Sequence, residues 1–157
     1  MLSGVKKYLA RISADRDGNL VIEFALALPM LMLLLVGLVD LGRFSLQKSA
    51  LLQGAREGAQ YGSYQYSDSS GINSTAQNAT GLTGVTAGNN VFCECTSGVA
   101  VSCSSTCSGG TVPKRYVTVT ATKPFASVLS VATLSFGSFG SWTPPTSTTA
   151  SITMICP

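Results

Sequence analysis

The sequence predicts an α+β protein in which a long amino-terminal transmembrane helix extends into a small antiparallel β-sheet domain stapled by disulfides. Three observations support this fold class: an apolar run near the amino terminus, strand-like alternation in the second half, and four closely spaced cysteines. Of 157 residues, 45% are hydrophobic and 11% are charged. Because an average soluble protein has about 25% charged residues, the composition indicates a surface that faces lipid or other protein.

The composition also excludes several classes of function. The chain contains no histidine, so imidazole general bases and histidine metal ligands are absent. After Tyr61 the acidic residues are Asp68 and Glu94, which leaves little for paired-carboxylate chemistry. A net charge of +3 is too small to indicate a nucleic-acid partner. We therefore expect no enzymatic activity, no cofactor, no metal and no nucleic acid.

Residues 1–18 form a basic leader in front of the apolar run. The positive-inside rule places this end in the cytoplasm and the carboxyl-terminal part on the exported side. The basic residues are Lys6, Lys7, Arg11 and Arg16, against Asp15 and Asp17. A cleaved secretory signal peptide is the alternative, but its apolar core is usually about 7 to 15 residues long and is followed by small residues at the cut site.

A helix is expected over residues 19–62, and its first part is long enough to span a bilayer once. The stretch 20–39 contains 20 residues, interrupted only by the carboxylate of Glu23. At 1.5 Å per residue it is about 30 Å long, the thickness of a bilayer core. A carboxylate in such a helix is a candidate functional group. The alternative is that Glu23 reaches the headgroups from the helix end.

The second part of this helix contains a glycine at every fourth position. Gly54, Gly58 and Gly62 fall on one side of the helix. Each glycine costs about 1 kcal/mol of helix stability relative to alanine, so the repeat indicates that another backbone comes close. We expect this surface to pack against the β domain or a second subunit. The alternative is that the glycines only loosen the helix end.

The start of the apolar run resembles the processing site of type IV prepilins. Gly18 is followed five residues later by Glu23 and then by Phe24. In that family a membrane-embedded prepilin peptidase cuts after the glycine. The resemblance therefore implies cleavage between Gly18 and Asn19 and a role for Glu23 and Phe24 in assembly, where the carboxylate neutralises the new amino terminus. Asn19 stands where the family usually has an apolar residue, which puts N-methylation in doubt.

The wider segment 16–62 resembles the TadE-like proteins of the tight-adherence (Flp/Tad) pilus systems. The resemblance is carried by the stretches 18–29, 40–43 and 55–59. It implies a pilin-like fold and a minor pilin or pseudopilin in the inner membrane with a periplasmic domain, which acts with other pilins of the same pilus. Two alternatives remain open: a principal filament subunit, and a membrane-tethered, adhesin-like binding module.

The remainder of the chain divides into a polar loop region, 63–90, which is loop or short irregular helix, and a small β domain, 91–157. Strands are expected at 91–95, 99–103, 116–122 and 149–155, with a hairpin turn at 96–98 and a long loop over 125–146. In the last two strands, alternate residues are apolar and would face one side of the sheet. They are Val117, Val119, Ala121, Ala150, Ile152 and Met154.

Four cysteines, Cys93, Cys95, Cys103 and Cys107, lie within 15 residues. In an oxidising compartment we expect two disulfides among them, since a small domain buries little apolar surface. Cys93 and Cys95 lie on the same side of one strand, so each is expected to pair with Cys103 or Cys107, with the choice left open. Cys156 is then the odd thiol. A zinc site of four thiolates is the competing interpretation.

Overall fold

The computed structural model of the protein describes residues 16–96, 98–128, 133–135 and 137–157. The chain divides into two compact units, one ending at Leu41 and the other covering Gly42–Pro157. Helix α1, Arg16–Tyr64, runs through both. Most of the predicted leader, residues 1–15, lies outside the described residues, as does Ser97 of the predicted hairpin turn.

In the first unit, α1 is an apolar helix with an uncovered surface. Every side chain over residues 21–35 is exposed. Between Val21 and Tyr64 the helix is long and apolar enough to cross a membrane. Exposed leucines, valines and methionines on all sides of a helix are unfavourable in water, so lipid or other protein is their expected environment. This helix fits a single-pass membrane protein.

The second unit is built around a four-stranded antiparallel sheet, which confirms the predicted sheet type. The main strands are β1, Thr86–Glu94, β3, Lys114–Pro124, and β6, Ser147–Cys156, and β2 is the short Ala100–Val101. Their order across the sheet is β2-β1-β3-β6. A separate two-stranded sheet joins β4, Leu134–Ser135, to β5, Ser141–Trp142.

The carboxyl-terminal part of α1 packs antiparallel to β3. A β-carbon on Gly62 would lie 3.0 Å from Val117, and one on Gly58 would lie 3.2 Å from Val119. Further along, Leu51 and Ala55 share a buried cluster with Ala121. Four helical residues advance about 6 Å and two strand residues about 6.6 Å, so the two repeats remain in step. The alternate apolar residues predicted for β3, Val117, Val119 and Ala121, form the sheet side of this core.

The polar region 63–90, for which the sequence predicts a loop or a short irregular helix, contains a regular second helix, α2, Ser69–Ala79. Ile72 and Ala76, spaced one turn apart, are fully buried in the core cluster that also contains Ala59. Asp68 caps the helix by accepting a hydrogen bond from the backbone N–H of Gly71, at 2.9 Å. The buried apolar side of α2 consists of only these two residues, which explains why hydrophobic periodicity does not reveal the helix.

Strands β3 and β6 each extend one or two residues beyond their predicted ends, and three other regions differ more from the sequence prediction. Strand β1 begins at Thr86 rather than 91, since its polar first half pairs with β3 from Thr86 opposite Thr122. Strand β2 has two residues instead of the five expected over 99–103. The expected loop over 125–146 contains β4, β5 and a single 3-10 turn, Gly137–Phe139. Residues 129–132 and 136 of that segment lie outside the described residues.

The Asp68 cap predicts an acid-sensitive contact between α1 and α2. Hydrogen bonds from the Gly71 backbone, the Ser70 hydroxyl and the Tyr61 hydroxyl lower the pKa of Asp68. A carboxylate with a lowered pKa contributes stability above its ordinary pKa, near 3.8, and this is lost as pH falls through the lower value of the folded state. The stability difference between wild type and Asp68→Asn should therefore shrink in acid.

Thermal unfolding followed by circular dichroism between about pH 7 and about pH 2 checks this, because the interval brackets the titration of a carboxyl group. A wild-type to Asp68→Asn difference that stayed constant through the acid range would contradict the assigned role of Asp68.

The hydrogen bond that the Tyr61 hydroxyl donates to Asp68 also raises the pKa of Tyr61. The stability that Tyr61 contributes is therefore present below the ordinary tyrosine pKa of 10.0 and is lost as pH rises through the raised value.

Candidate assembly site

The candidate assembly residues of the first unit lie on the uncovered part of α1. Glu23 is exposed, and Phe24 exposes 61% of its surface. The neighbouring exposed side chains are apolar, among them Val21 and Leu26. A carboxylate surrounded by apolar surface in a helix of this kind would attract a cationic group strongly once lipid or protein excluded water.

Gly18 and Asn19 belong to the helical backbone of α1, five and four residues before Glu23. Four residues correspond to about one helical turn, or about 6 Å along the axis. A new amino terminus at Asn19 would therefore lie one turn before the Glu23 carboxylate of the same chain.

The glycine ridge, Gly54, Gly58 and Gly62, is covered by the chain's own α2 and sheet. A β-carbon on Gly54 would lie 2.4 Å from the carbonyl oxygen of Ala76, and one on Gly58 would lie 2.7 Å from the Ala76 β-carbon. Both distances are too short for any L side chain without a shift of α2. The absence of side chains on α1 therefore permits the close approach of α2, and the ridge is an intrachain packing surface.

The four clustered cysteines form two disulfides. Cys93 pairs with Cys103 and Cys95 pairs with Cys107, with Cα to Cα separations of 5.1 and 5.4 Å. The pairs interleave along the sequence and tie the end of β1 to the segment that leads into β3. The sulfurs are bonded in pairs rather than arranged as four thiolates. Among the described residues, no group of three or more His, Cys, Asp or Glu side chains could hold a metal ion.

Cys156 is a buried free thiol at the end of β6. Its sulfur lies 3.9 Å from the carbonyl oxygen of Gly62, so it packs beneath the last turns of α1. Burial raises the pKa of this thiol, and the nearby charge of Arg115 opposes the shift. Arg115 in turn lies 3.9 Å from the centroid of the Tyr66 ring. These contacts join the end of α1 to the sheet.

Sequence reasoning did not anticipate the Tyr66 to Arg115 contact, because the two residues lie far apart in the chain. The local signal is an aromatic residue two positions after the end of α1.

Comparison with known proteins identifies the amino-terminal part of the chain. Residues 18–60 match the family described as TadE-like protein. This segment is similar to TadE-like proteins. The TadE-like match begins at Gly18 and includes Glu23, Phe24, Gly54 and Gly58, and it confirms the resemblance found in the sequence. No curated protein and no solved structure shows significant similarity to the chain.

The match covers 43 of the 157 residues, and it is a similarity of this segment to the TadE-like family. The matched residues 18–60 cover the apolar helix and most of the glycine ridge, and the match ends before α2 and the sheet. The similarity therefore concerns the anchoring helix and the start of its packing surface.

Proposed function

We propose that the protein is a minor pilin or pseudopilin needed for assembly of a tight-adherence pilus. One observation carries the proposal: the TadE-like match includes an uncovered apolar stretch of α1, residues 21–35, in which Glu23 is the single carboxylate. Pilin-like helices assemble by packing apolar surfaces side by side, and this surface is open for such packing. The Gly42–Pro157 unit has a buried core of its own.

In this proposal, prepilin peptidase cuts between Gly18 and Asn19 and leaves residues 19–157. Glycine lacks a side chain, which lets a peptidase approach the backbone closely. Cleavage creates a cationic amine at Asn19, and Glu23 of the same or a neighbouring subunit neutralises it. In the low dielectric of a membrane or a filament core, an unpaired charge is costly, so the pair favours assembly over dispersal.

The proposed location is the inner membrane, with the amino terminus in the cytoplasm and the Gly42–Pro157 unit in the periplasm. The basic residues before the apolar run favour this orientation. The two disulfides fit it as well, because disulfides persist in oxidising compartments. Other pilins or pseudopilins of the same pilus are the proposed partners.

The mature amino terminus is the most direct test of processing. Protein purified from cells that contain the peptidase should begin at Asn19, whereas protein from a peptidase-deficient strain should begin at Met1. Intact-mass measurement and amino-terminal sequencing distinguish the two. Full-length protein in cells with an active peptidase would contradict the proposal and would favour a membrane-tethered binding module.

For Glu23 we expect a loss of incorporation without a loss of membrane insertion. Glu23→Ala and Glu23→Gln should both be cleaved and membrane-bound but strongly depleted from sheared filaments, because neither can neutralise the new amine. The matched control is Glu57→Ala, an exposed acid further along the same helix. Immunoblots of sheared and membrane fractions provide the measurement.

Normal piliation and normal incorporation of Glu23→Ala would refute the docking role. The amount of this protein in the sheared fraction also distinguishes the remaining alternatives. A minor component should be present at a small fraction of the main pilin, a principal subunit should dominate, and a tethered module should remain in the membrane.

A further inference from the structure

Strand β6 lies at an edge of the four-stranded sheet. It pairs with β3, and among the described residues no strand pairs with its other side. The backbone groups of a strand point alternately to its two sides, so about half of its residues direct an N–H and a C=O away from β3. These groups form a free edge at which a further strand can add.

This edge lacks the features that usually protect exposed strands from pairing. Charged side chains, prolines and β-bulges blunt such edges in natural proteins. The stretch 147–156 contains no charged residue, no proline and no glycine. Its pairing with β3 runs without interruption from Ser147 opposite Pro124 to Cys156 opposite Arg115, so no bulge bends it away. An edge this long, regular and uncharged is suited to strand addition.

The opposite edge of the sheet is partly closed. Strand β1 pairs with β2 at Cys93 and Glu94, and Glu94 places a charge there. Further along β1, the Asn89 side-chain amide donates to the carbonyl oxygen of Ser69 in α2, at 2.9 Å. The two edges therefore differ, and β6 is the one without such protection.

The helix-facing side of β6 is incompletely covered. Ile152 and Met154 are half-buried and pack against the core cluster that contains Val117 and Val119. Those two valines, on the neighbouring strand β3, are fully buried. Aliphatic side chains on an added strand would remove the exposed parts of Ile152 and Met154 from water, which is favourable.

The other side of β6 carries a row of hydroxyl groups. Hydroxyl pairs at 2.7 to 3.1 Å join it to β3: Thr118 with Thr153, Thr120 with Ser151, and Thr122 with Thr149. In each pair one hydroxyl donates to the other, so the second keeps its proton for a further hydrogen bond. Serine or threonine at alternate positions of an added strand would continue this row.

We propose that β6 binds an extended, uncharged strand of another protein, in which hydroxyl and aliphatic side chains alternate. Backbone hydrogen bonds to the free edge supply the affinity, and the alternation supplies the specificity. A charged side chain beside Ile152 or Met154 would lose water without gaining a partner, which selects against charged strands. The proposal goes beyond the pilus role and requires neither cleavage at Gly18 nor the carboxylate of Glu23.

A second copy of this chain fits the edge less well. Two β6 strands would pair antiparallel about a twofold axis. Because α1 packs antiparallel to β3, it runs parallel to β6, and the twofold axis would reverse its direction between the copies. The two chains would then enter their Gly42–Pro157 units from opposite ends, which chains anchored in one membrane cannot do.

The test follows hydrogen exchange of the β6 amides by NMR, with the full chain in uncharged detergent micelles. The probe is a synthetic peptide of residues 115–123, because β3 already matches β6 in its hydroxyl and aliphatic pattern. Without peptide, the amides bonded to β3 should exchange slowly and the alternate, outward amides quickly. Peptide at about ten times its dissociation constant should slow the outward amides about tenfold, since they exchange from the unbound state.

Ser151→Lys, an exposed position in the middle of β6, should weaken this slowing, because a lysine blunts an edge strand. Asn90→Lys is the matched control, exposed on the same side of the sheet but two strands away. It should leave the response unchanged. The amides bonded to β3 report whether each variant is folded, and Thr153→Lys is a second edge variant with the same expected effect. A peptide that carries Val119→Pro should not bind, because proline lacks the N–H of a central strand residue.

Four results would overturn the proposal. They are outward amides that do not respond to the peptide, slowing that appears in β1 instead of β6, an equal response to the Val119→Pro peptide, and an unchanged response of both lysine variants of β6. Slowing without peptide that grows with protein concentration would also overturn it, since a second copy would then occupy the edge. Piliation does not enter the readout, so failure here leaves the assembly role separately testable.

Discussion

Removing the disulfide between Cys93 and Cys103 should lower the free energy of unfolding of the Gly42–Pro157 unit by about 2 to 4 kcal/mol. The bond closes a short loop, and its loss returns conformational freedom to the unfolded chain. Cys93 is also almost fully buried, with 1% of its surface exposed. We would therefore replace both cysteines with alanine, since serine would add a buried hydroxyl. Denaturant unfolding of the full chain in detergent, followed by circular dichroism, provides the measurement.

The matched control is Cys156→Ala, which removes a buried thiol that forms no disulfide. It should cost only the local contacts of one thiol. Because both disulfides remain in this variant, reduction should lower its stability as much as it lowers that of wild-type protein. If reduction leaves the unfolding midpoint unchanged, the disulfides do not stabilise the fold. If added zinc restores the reduced protein, the four cysteines are metal ligands.

Gly54→Ala should destabilise the same unit by about 1 to 3 kcal/mol, the usual cost of overpacking. The new methyl group would lie 2.4 Å from the carbonyl oxygen of Ala76 and from the Thr80 side chain. Because one of these atoms is backbone, relief requires a displacement of α2. Alanine also favours a helix over glycine by about 1 kcal/mol, so the expected loss opposes an intrinsic gain.

Gly42→Ala is the matched control on the same helix, because a β-carbon there would meet no atom within 4 Å. It should be neutral or stabilising. Hydrogen exchange would locate the effect of Gly54→Ala. Relative to wild type, the exchange rates of α2 amides should increase more than those of β3 amides. A Gly54→Ala protein as stable as Gly42→Ala would show that α2 does not depend on the close approach at the ridge.

The two glycine variants also illustrate what sequence reasoning reaches and where it stops. The four-residue spacing of Gly54, Gly58 and Gly62 indicates that something packs closely, because it is costly and periodic. It does not identify the partner. That partner includes α2, whose apolar stripe consists of Ile72 and Ala76, too few residues for periodicity to reveal. The helix is stable because α1 and the sheet cover it, which is tertiary information.

The sheet also contains some features that sequence patterns predict and others that depend on tertiary contacts. Alternation in β3 and β6 predicts both strands, since each has one buried side. The first half of β1, Thr86–Asn90, lacks apolar alternation, and its strand conformation comes from pairing with β3. The disulfide pairing likewise depends on where the chain after β2 returns toward β3, which cysteine spacing does not determine. The Gly18 and Glu23 motif, by contrast, is a local pattern, and the family match at 18–60 includes it.

The antiparallel packing of α1 on β3 sets a limit on modular exchange. The same helix that supplies the apolar anchor also supplies one wall of the globular core, through Leu51, Ala55 and Ala59. A graft that swaps the anchor for another must therefore join before Leu51, and a soluble fragment has to retain the last turns of the helix. The apolar segment can therefore be exchanged only at a junction within α1, before Leu51, and not at the end of the helix.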